Sequence, residues 1–196
     1  MRKQKKLNAL LVLTFTLTLA SCSSLSERKI ASMDGISRPD WATQEKAVTV
    51  KDGKLYILGF QELPVDAKVS AGYRLSDNAS RTELSKMIQN QFSSIMQNLE
   101  EGVSDDGNLT RFYSSEVSKN SIRDLRITNR YWEKVQTIDS DGEEIFRLRV
   151  YSLGEIPEAK LKKMIRESLE KNRIDPEVKK QVLGHFESEI KQFQGQ

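Results

Sequence analysis

The chain has 196 residues, with 31 Lys+Arg against 28 Asp+Glu, a formal net charge of +3, one His and one Cys. One Cys excludes an internal disulfide framework, and one Cys with one His excludes a Cys/His metal cluster. The length allows one domain, or one domain with an appendage, and triad chemistry would have only His185 as its base.

The chain opens on a basic block, Arg2, Lys3, Lys5 and Lys6, followed by an apolar stretch, Leu7–Leu19, broken only by Asn8 and three Thr. A bilayer span needs about 20 apolar residues. Thirteen are too few, but they suit the apolar region of a signal peptide. The stretch runs into Leu19, Ala20, Ser21 and the lone Cys22. This tetrad resembles the lipobox of bacterial lipoproteins. The resemblance implies cleavage before Cys22, lipid attachment at its thiol and acylation of the new amine. Leu19, Ala20 and Ser21 would be the peptidase recognition residues. Two or more acyl chains hold a protein stably on a membrane, whereas one does so only marginally. Ser23, rather than Asp, follows the Cys, which by enterobacterial sorting rules implies the outer membrane.

Cleavage changes the charge. Residues 1–21 hold four basic residues and no acidic one, so 27 Lys+Arg would face 28 Asp+Glu, a net −1. A basic footprint for nucleic acid is then lacking, and no nucleic-acid partner is expected.

Residues 22–37 read as the lipidated Cys and a flexible Ser-rich tether. Fifteen residues beyond the Cys would reach roughly 20 Å on average and at most about 50 Å extended. A short helix around Ile30 and Met33 is the alternative. A domain is expected over 38–154, entered through Arg38-Pro39-Asp40-Trp41, with Trp41 as an aromatic anchor. Val48 and Val50 suggest a short strand, Lys51-Asp52-Gly53-Lys54 a turn, and Leu55–Phe60 a strand with Gly59 at a close backbone approach. Leu84, Met87, Ile88, Phe92, Ile95, Met96 and Leu99 set a helical period over 73–100, with Ser76 as its N-cap. Gly102–Leu109 reads as a polar loop. Its Asp105-Asp106-Gly107-Asn108 lacks the spacing of a calcium loop. A shorter helix is expected over 111–122.

A hairpin follows. Leu125, Ile127, Tyr131 and Val135 alternate with polar residues, Asp139–Gly142 makes the turn, and Phe146, Leu148 and Val150 alternate with Arg147, Arg149 and Tyr151. The alternation assigns Arg126, Arg130, Trp132, Lys134, Arg147, Arg149 and Tyr151 to one face. That face is either a docking surface for an acidic or glycan partner, or is covered by C-terminal helices whose Glu158, Glu167 or Glu170 pair with the arginines. Residues 155–196 read as a helical hairpin: Pro157 opens a helix with Leu161, Met164, Ile165 and Leu169, and Pro176 opens another with Val178, Val182, Phe186, Ile190 and Phe193. The expected class is α+β, a small antiparallel sheet with helices packed on one face plus a C-terminal helical hairpin.

Five segments together carry a further resemblance: Pro39-Asp40-Trp41, Leu55-Tyr56-Ile57-Leu58-Gly59, Asp77–Leu84, Ile127–Trp132 and Phe146–Val150. Over about 38–170 the chain resembles the Lpp-twenty type of bacterial outer-membrane lipoproteins. The resemblance implies a small α+β domain without catalysis. It implies a structural or assembly role in the envelope, facing the periplasm or the cell surface, with envelope proteins, further copies of the chain or flagellar components as partners. A regulator of a peptidoglycan-synthesising enzyme is the alternative. No glycine-rich phosphate loop, nucleophile elbow or zinc-binding helix motif is present in the sequence. No catalytic residue, metal or cofactor is expected, and His185 reads as a solvated helix residue.

Overall fold

The computed structural model describes residues 27–99, 106–171 and 176–194. It shows an α+β architecture: one antiparallel sheet with its four α-helices on one face. The strands are β1 (Arg28–Ser32), β2 (Val48–Lys51), β3 (Lys54–Pro64), β4 (Arg126–Ile138) and β5 (Glu144–Pro157). Their spatial order is β1-β4-β5-β3-β2. The helices are α1 (Val69–Leu99), α2 (Asp106–Asp124), α3 (Glu158–Lys171) and α4 (Pro176–Gln194).

The β2–β3 and β4–β5 hairpins form where the turn chemistry predicts. Asp52 and Gly53 both take positive φ in a two-residue turn, which short polar residues and glycine tolerate. Asp139 closes the other turn by accepting the N–H groups of Asp141 and Glu143 on its carboxylate. Between the hairpins, α1 lies across β3 and β5, and α2 packs on α1. β5 runs straight into α3, whose first N–H, on Glu158, reaches the Gly53 carbonyl at 2.9 Å. α4 covers α1 and β2. The core under the helices joins Leu55, Ile57 and Ile156 of the sheet to Leu84, Ile88 and Phe92 of α1 and to Leu161, Ile165, Val182 and Phe186 of the last two helices. The C-terminal helical hairpin is therefore part of the main core, and Lys179 pairs with Glu170 across it at 3.0 Å.

Several boundaries differ from the sequence reading. Residues 28–32 are not tether: they form β1, paired antiparallel with β4. A 3-10 turn, Met33–Gly35, follows. The alternation is weak there, because β1 is an edge strand whose side chains are mostly exposed. α1 begins at Val69, so Ser76 is an interior residue rather than an N-cap. It is fully buried, and its hydroxyl lies 2.6 Å from that of Ser152. α2 begins at Asp106, taking in residues read as loop; residues 102–105 lie outside the described residues, as does the expected break at 172–175.

The other face of the sheet is not bare. The 33–42 segment crosses it, and Met33, Trp41 and Ala42 pack with Leu58 against Tyr131 and Tyr151. Trp41 is thus the anchor its sequence position suggests.

Gly59 fixes the distance between helix and sheet. A Cβ built there would stand 2.0 Å from the Ser76 carbonyl oxygen and 2.6 Å from the Ser80 nitrogen. Both are helix backbone, so neither can swing away, and α1 sits at a separation only glycine permits. Gly59→Ala is expected to destabilise the fold by at least about 2 kcal/mol through forced separation of α1 from β3. Gly184→Ala meets open space and should cost nothing measurable. The midpoints of urea unfolding curves check both.

Candidate functional site

Facing in a strand alternates with period two, so a one-residue slip turns every later side chain over. β4 contains such a slip. Arg126 stands opposite Glu155 and Ile127 opposite Gly154, but Asn129 already stands opposite Leu153. Thr128 is the extra residue of this bulge, and its hydroxyl donates to the Leu153 carbonyl at 3.2 Å. Beyond it, Tyr131 pairs with Tyr151, Trp132 with Val150 and Glu133 with Arg149.

The slip turns Arg126 away from Arg130, and the hairpin register, with Ile138 opposite Glu144, pairs even-numbered residues of β4 with even-numbered residues of β5; together they divide the single basic face. Arg130, Trp132 and Lys134 share the helix-facing side with Ser152, Val150 and Leu148. Arg126, Arg147, Arg149 and Tyr151 point to the opposite side. The expected cover by Glu158, Glu167 and Glu170 also fails, because those residues pair with Lys162, Lys163 and Lys179. Arg130, Arg147 and Arg149 find other carboxylates.

On the helix side, Arg130 makes a two-pronged pair with Asp77 of α1, at 3.0 Å from Nε to Oδ1 and 2.7 Å to Oδ2. The Ser152 hydroxyl donates to Asp77 Oδ1 at 2.6 Å. The Arg130 guanidinium also lies over the Tyr73 ring, 5.6 Å from its centre. Burial alone would raise the Asp77 carboxyl, but the bonds from Arg130 and Ser152 outweigh it and hold it below its ordinary value. This cluster ties α1 to the end of β4.

On the opposite side, Glu133 is 1% exposed. Its carboxylate accepts from Arg38 Nε at 2.8 Å, from the Tyr131 hydroxyl at 3.2 Å and from the Tyr151 hydroxyl at 3.3 Å. Arg38 also lies over the Tyr151 ring, 5.5 Å from its centre. From there the ion pairs run outward. Arg38 meets Glu27 at 3.0 Å, Glu27 meets Arg149, and Arg149 meets Glu62 at 2.8 Å. Arg147 approaches the same Glu62 at 3.6 Å. Burial pushes the Tyr151 hydroxyl up to about 12; Arg38 opposes the rise and the Glu133 charge adds to it.

Neither Glu133 nor Arg38 stood out as a site residue in the sequence. A signal existed: Tyr131, Glu133 and Val135 share one face at period two, so a carboxylate between two apolar residues had to be buried and had to find a cation.

Beside the sheet runs an open groove of about 780 Å³. Phe60 of β3 lines its base; Ala42 and Ala47 form one side, and Leu75, Ala79 and Thr82 of α1 the other. Phe60 and Leu75 are each 43% exposed. The sequence pattern of residues 55–60 marks a strand but not the groove, which opens where the four-residue β2 ends. Just before β2, the Ala47 carbonyl accepts the Leu58 N–H at 2.8 Å, the last backbone bond to β3 on this side among the described residues.

Among the described residues no three His, Cys, Asp or Glu side chains gather as a metal site, and His185 is exposed. No family model matches the chain, and no curated protein matches it.

Two predictions follow from the Glu133 cluster. Glu133→Gln keeps the shape but leaves Arg38 without its buried counter-charge, and should cost about 2 kcal/mol in urea unfolding. Tyr151 binds its proton more tightly when folded, so its contribution is complete below pH 10 and fades as the pH rises towards about 12. Denaturant midpoints should fall over that window, and Tyr151→Phe should flatten the fall.

Proposed function

We propose that this chain is a bacterial envelope lipoprotein, held on the outer membrane by lipid at Cys22, with a non-enzymatic structural or assembly role exerted by binding other proteins. The observation that carries the reading is the arrangement of Arg2–Lys6, the apolar stretch Leu7–Leu19 and the lone Cys22 behind Leu19-Ala20-Ser21. Those residues lie outside the described ones, so the support is chemical: a thiol after small residues is what lipid transfer and cleavage need. No helix among the described residues is long and apolar enough to cross a membrane, and a lipid anchor needs none. The short motifs shared with Lpp-twenty lipoproteins support the same reading. An open groove beside a strand, with apolar side chains at its base and sides, suits a protein that works by contact.

β1 sharpens the choice between the two roles. The strand starts at Arg28, and Glu27 is already tied to Arg38 and Arg149. Only Ser23–Ser26 separate Cys22 from that anchored point. Whatever their conformation, they can span no more than about 18 Å. A domain kept that close to its lipid favours partners at the same membrane over a synthase regulator reaching to the inner membrane.

The test is labelling with radioactive palmitate and membrane fractionation of wild type and Cys22→Ala. The wild type should carry label and sediment with the outer membrane. Cys22→Ala should lose the label, and most of the protein should leave that fraction. A labelled Cys22→Ala protein, or an unlabelled wild type, contradicts the anchor.

A further inference from the structure

In an antiparallel strand, successive residues turn their N–H and C=O groups to opposite neighbours. β3 shows which way each residue points. The Leu58 N–H faces the β2 side, towards Ala47. By alternation, Phe60 and Glu62 also turn their backbone groups to that side. Pairing between β2 and β3 begins at Val48–Ile57, and β2 is the last strand of the sheet on that side. Beyond Leu58, the chain of residues 42–47 bends away from β3, and the groove opens in its place. On that side Phe60 and Glu62 have no backbone partner among the described residues, Pro64 having no N–H and giving its carbonyl to Ala67 at 3.0 Å, while the other side of β3 is fully paired with β5.

Bare edges in native sheets are usually blunted by bulges, charges facing inward, or prolines. Here Pro64 stands only at the far end, and the apolar Phe60 stands in the middle. Glu62 does not guard the edge, because its carboxylate is turned to Arg149 and Arg147 across the face.

We infer that the open edge of β3 is a strand-addition site that takes an extended segment of a partner protein, pairing through the backbone with Phe60 and Glu62. The inference rests on the protein-binding reading above and names how that binding is made. Two features select a peptide strand. Unpaired backbone groups spaced two residues apart match another extended backbone. The groove is also walled, by α1 on one side and by residues 42–47 on the other. A second copy meeting edge to edge would bring its own α1 and 42–47 segment into the same space, whereas a single strand enters between the walls. The five residues from Gly59 to Leu63 give a track of roughly 16 Å. Phe60, Leu75 and Ala79 favour a segment with apolar side chains at alternate positions. At the rim, Lys86 is held by Glu83 at 2.7 Å. Glu45, which also lines the groove, has no ion-pair partner among the described residues, so a cationic residue in the segment would be favoured there.

Phe60→Pro tests the backbone directly. It deletes the N–H that faces the groove and leaves the β3–β5 ladder its donors, since those come from the odd-numbered residues. Leu75→Glu alters the α1 wall without touching β3, and Phe146→Glu is the control, at a residue 42% exposed elsewhere. Mature lipidated protein in detergent micelles would be panned against a random 12-residue peptide library, and the selected peptides synthesised. The expected result is peptides with alternating apolar residues that slow amide exchange at Phe60 and Glu62 at least tenfold. Phe60→Pro and Leu75→Glu should each weaken their binding at least tenfold, and Phe146→Glu should leave it unchanged. If Phe60→Pro fails to fold, Leu75→Glu and the exchange data decide. The inference is overturned if no peptide is selected, if bound peptides leave those two amides unprotected, or if both variants bind as the wild type does. It is also overturned if sedimentation shows a dimer that Leu75→Glu dissolves, since the occupant would then be a second copy. Each of these results would leave the lipid anchor at Cys22 untouched.

Discussion

A carboxylate buried in a sheet must be answered by a cation or its charge cannot stay. Glu133 imposes that demand at the middle of β4, and the answer comes from far away in sequence. Arg38 is brought over the sheet to meet it, with the Tyr131 and Tyr151 hydroxyls filling the remaining acceptor positions. The pair thereby fixes the path of the whole N-terminal segment. β1 is laid along β4, Trp41 and Ala42 are pressed against the tyrosines, and Glu27 is drawn to Arg38 and Arg149. What the sequence presents as a flexible leader becomes a strap across one face. The link left between Cys22 and the folded domain is only four residues long.

The same strap creates the groove. After covering the second face, the chain must turn the edge of the sheet to start β2, and it does so over residues 42–47. β2 can then pair with only the first part of β3. The rest of β3 is paired on one side with β5, and on the other Phe60 and Glu62 have no backbone partner among the described residues. The short stretch from Cys22 to the domain and the open edge of β3 are therefore consequences of one path, set by the Arg38–Glu133 pair.

Much of the architecture was legible in the sequence because each element carries its own period. The i, i+3, i+4 spacing of Leu84, Met87, Ile88 and Phe92 marks α1, the Asp-Gly and Asp-Ser-Asp-Gly turns mark the two hairpins, and Gly59 marks the tight crossing. The α+β class follows from these alone. The candidate face divides for two local reasons, the hairpin register and a bulge. The bulge at Thr128 adds one residue, and nothing in the composition of β4 announces it. Before the bulge Ile127 faces the helices; after it the even-numbered Arg130, Trp132 and Lys134 do. Alternation within each strand leaves the register between the strands open: pairing Ile138 with Glu144 at the turn sets Arg147, Arg149 and Tyr151 on the face away from Arg130, Trp132 and Lys134, and the bulge adds only Arg126 to their side. β1 was missed for a different reason. An edge strand held by backbone pairing and side-chain ion pairs has almost no apolar pattern to read.

The central claim is that Cys22, the proposed point of lipid attachment, and the folded domain are held close together by the strap. Neutron reflectometry of the mature lipidated chain on a supported bilayer measures that distance directly. The account predicts protein density beginning at the headgroups, with the nearest edge of the domain within about 20 Å of them. A thinly occupied gap approaching 50 Å, the reach of a fully flexible tether, would contradict it.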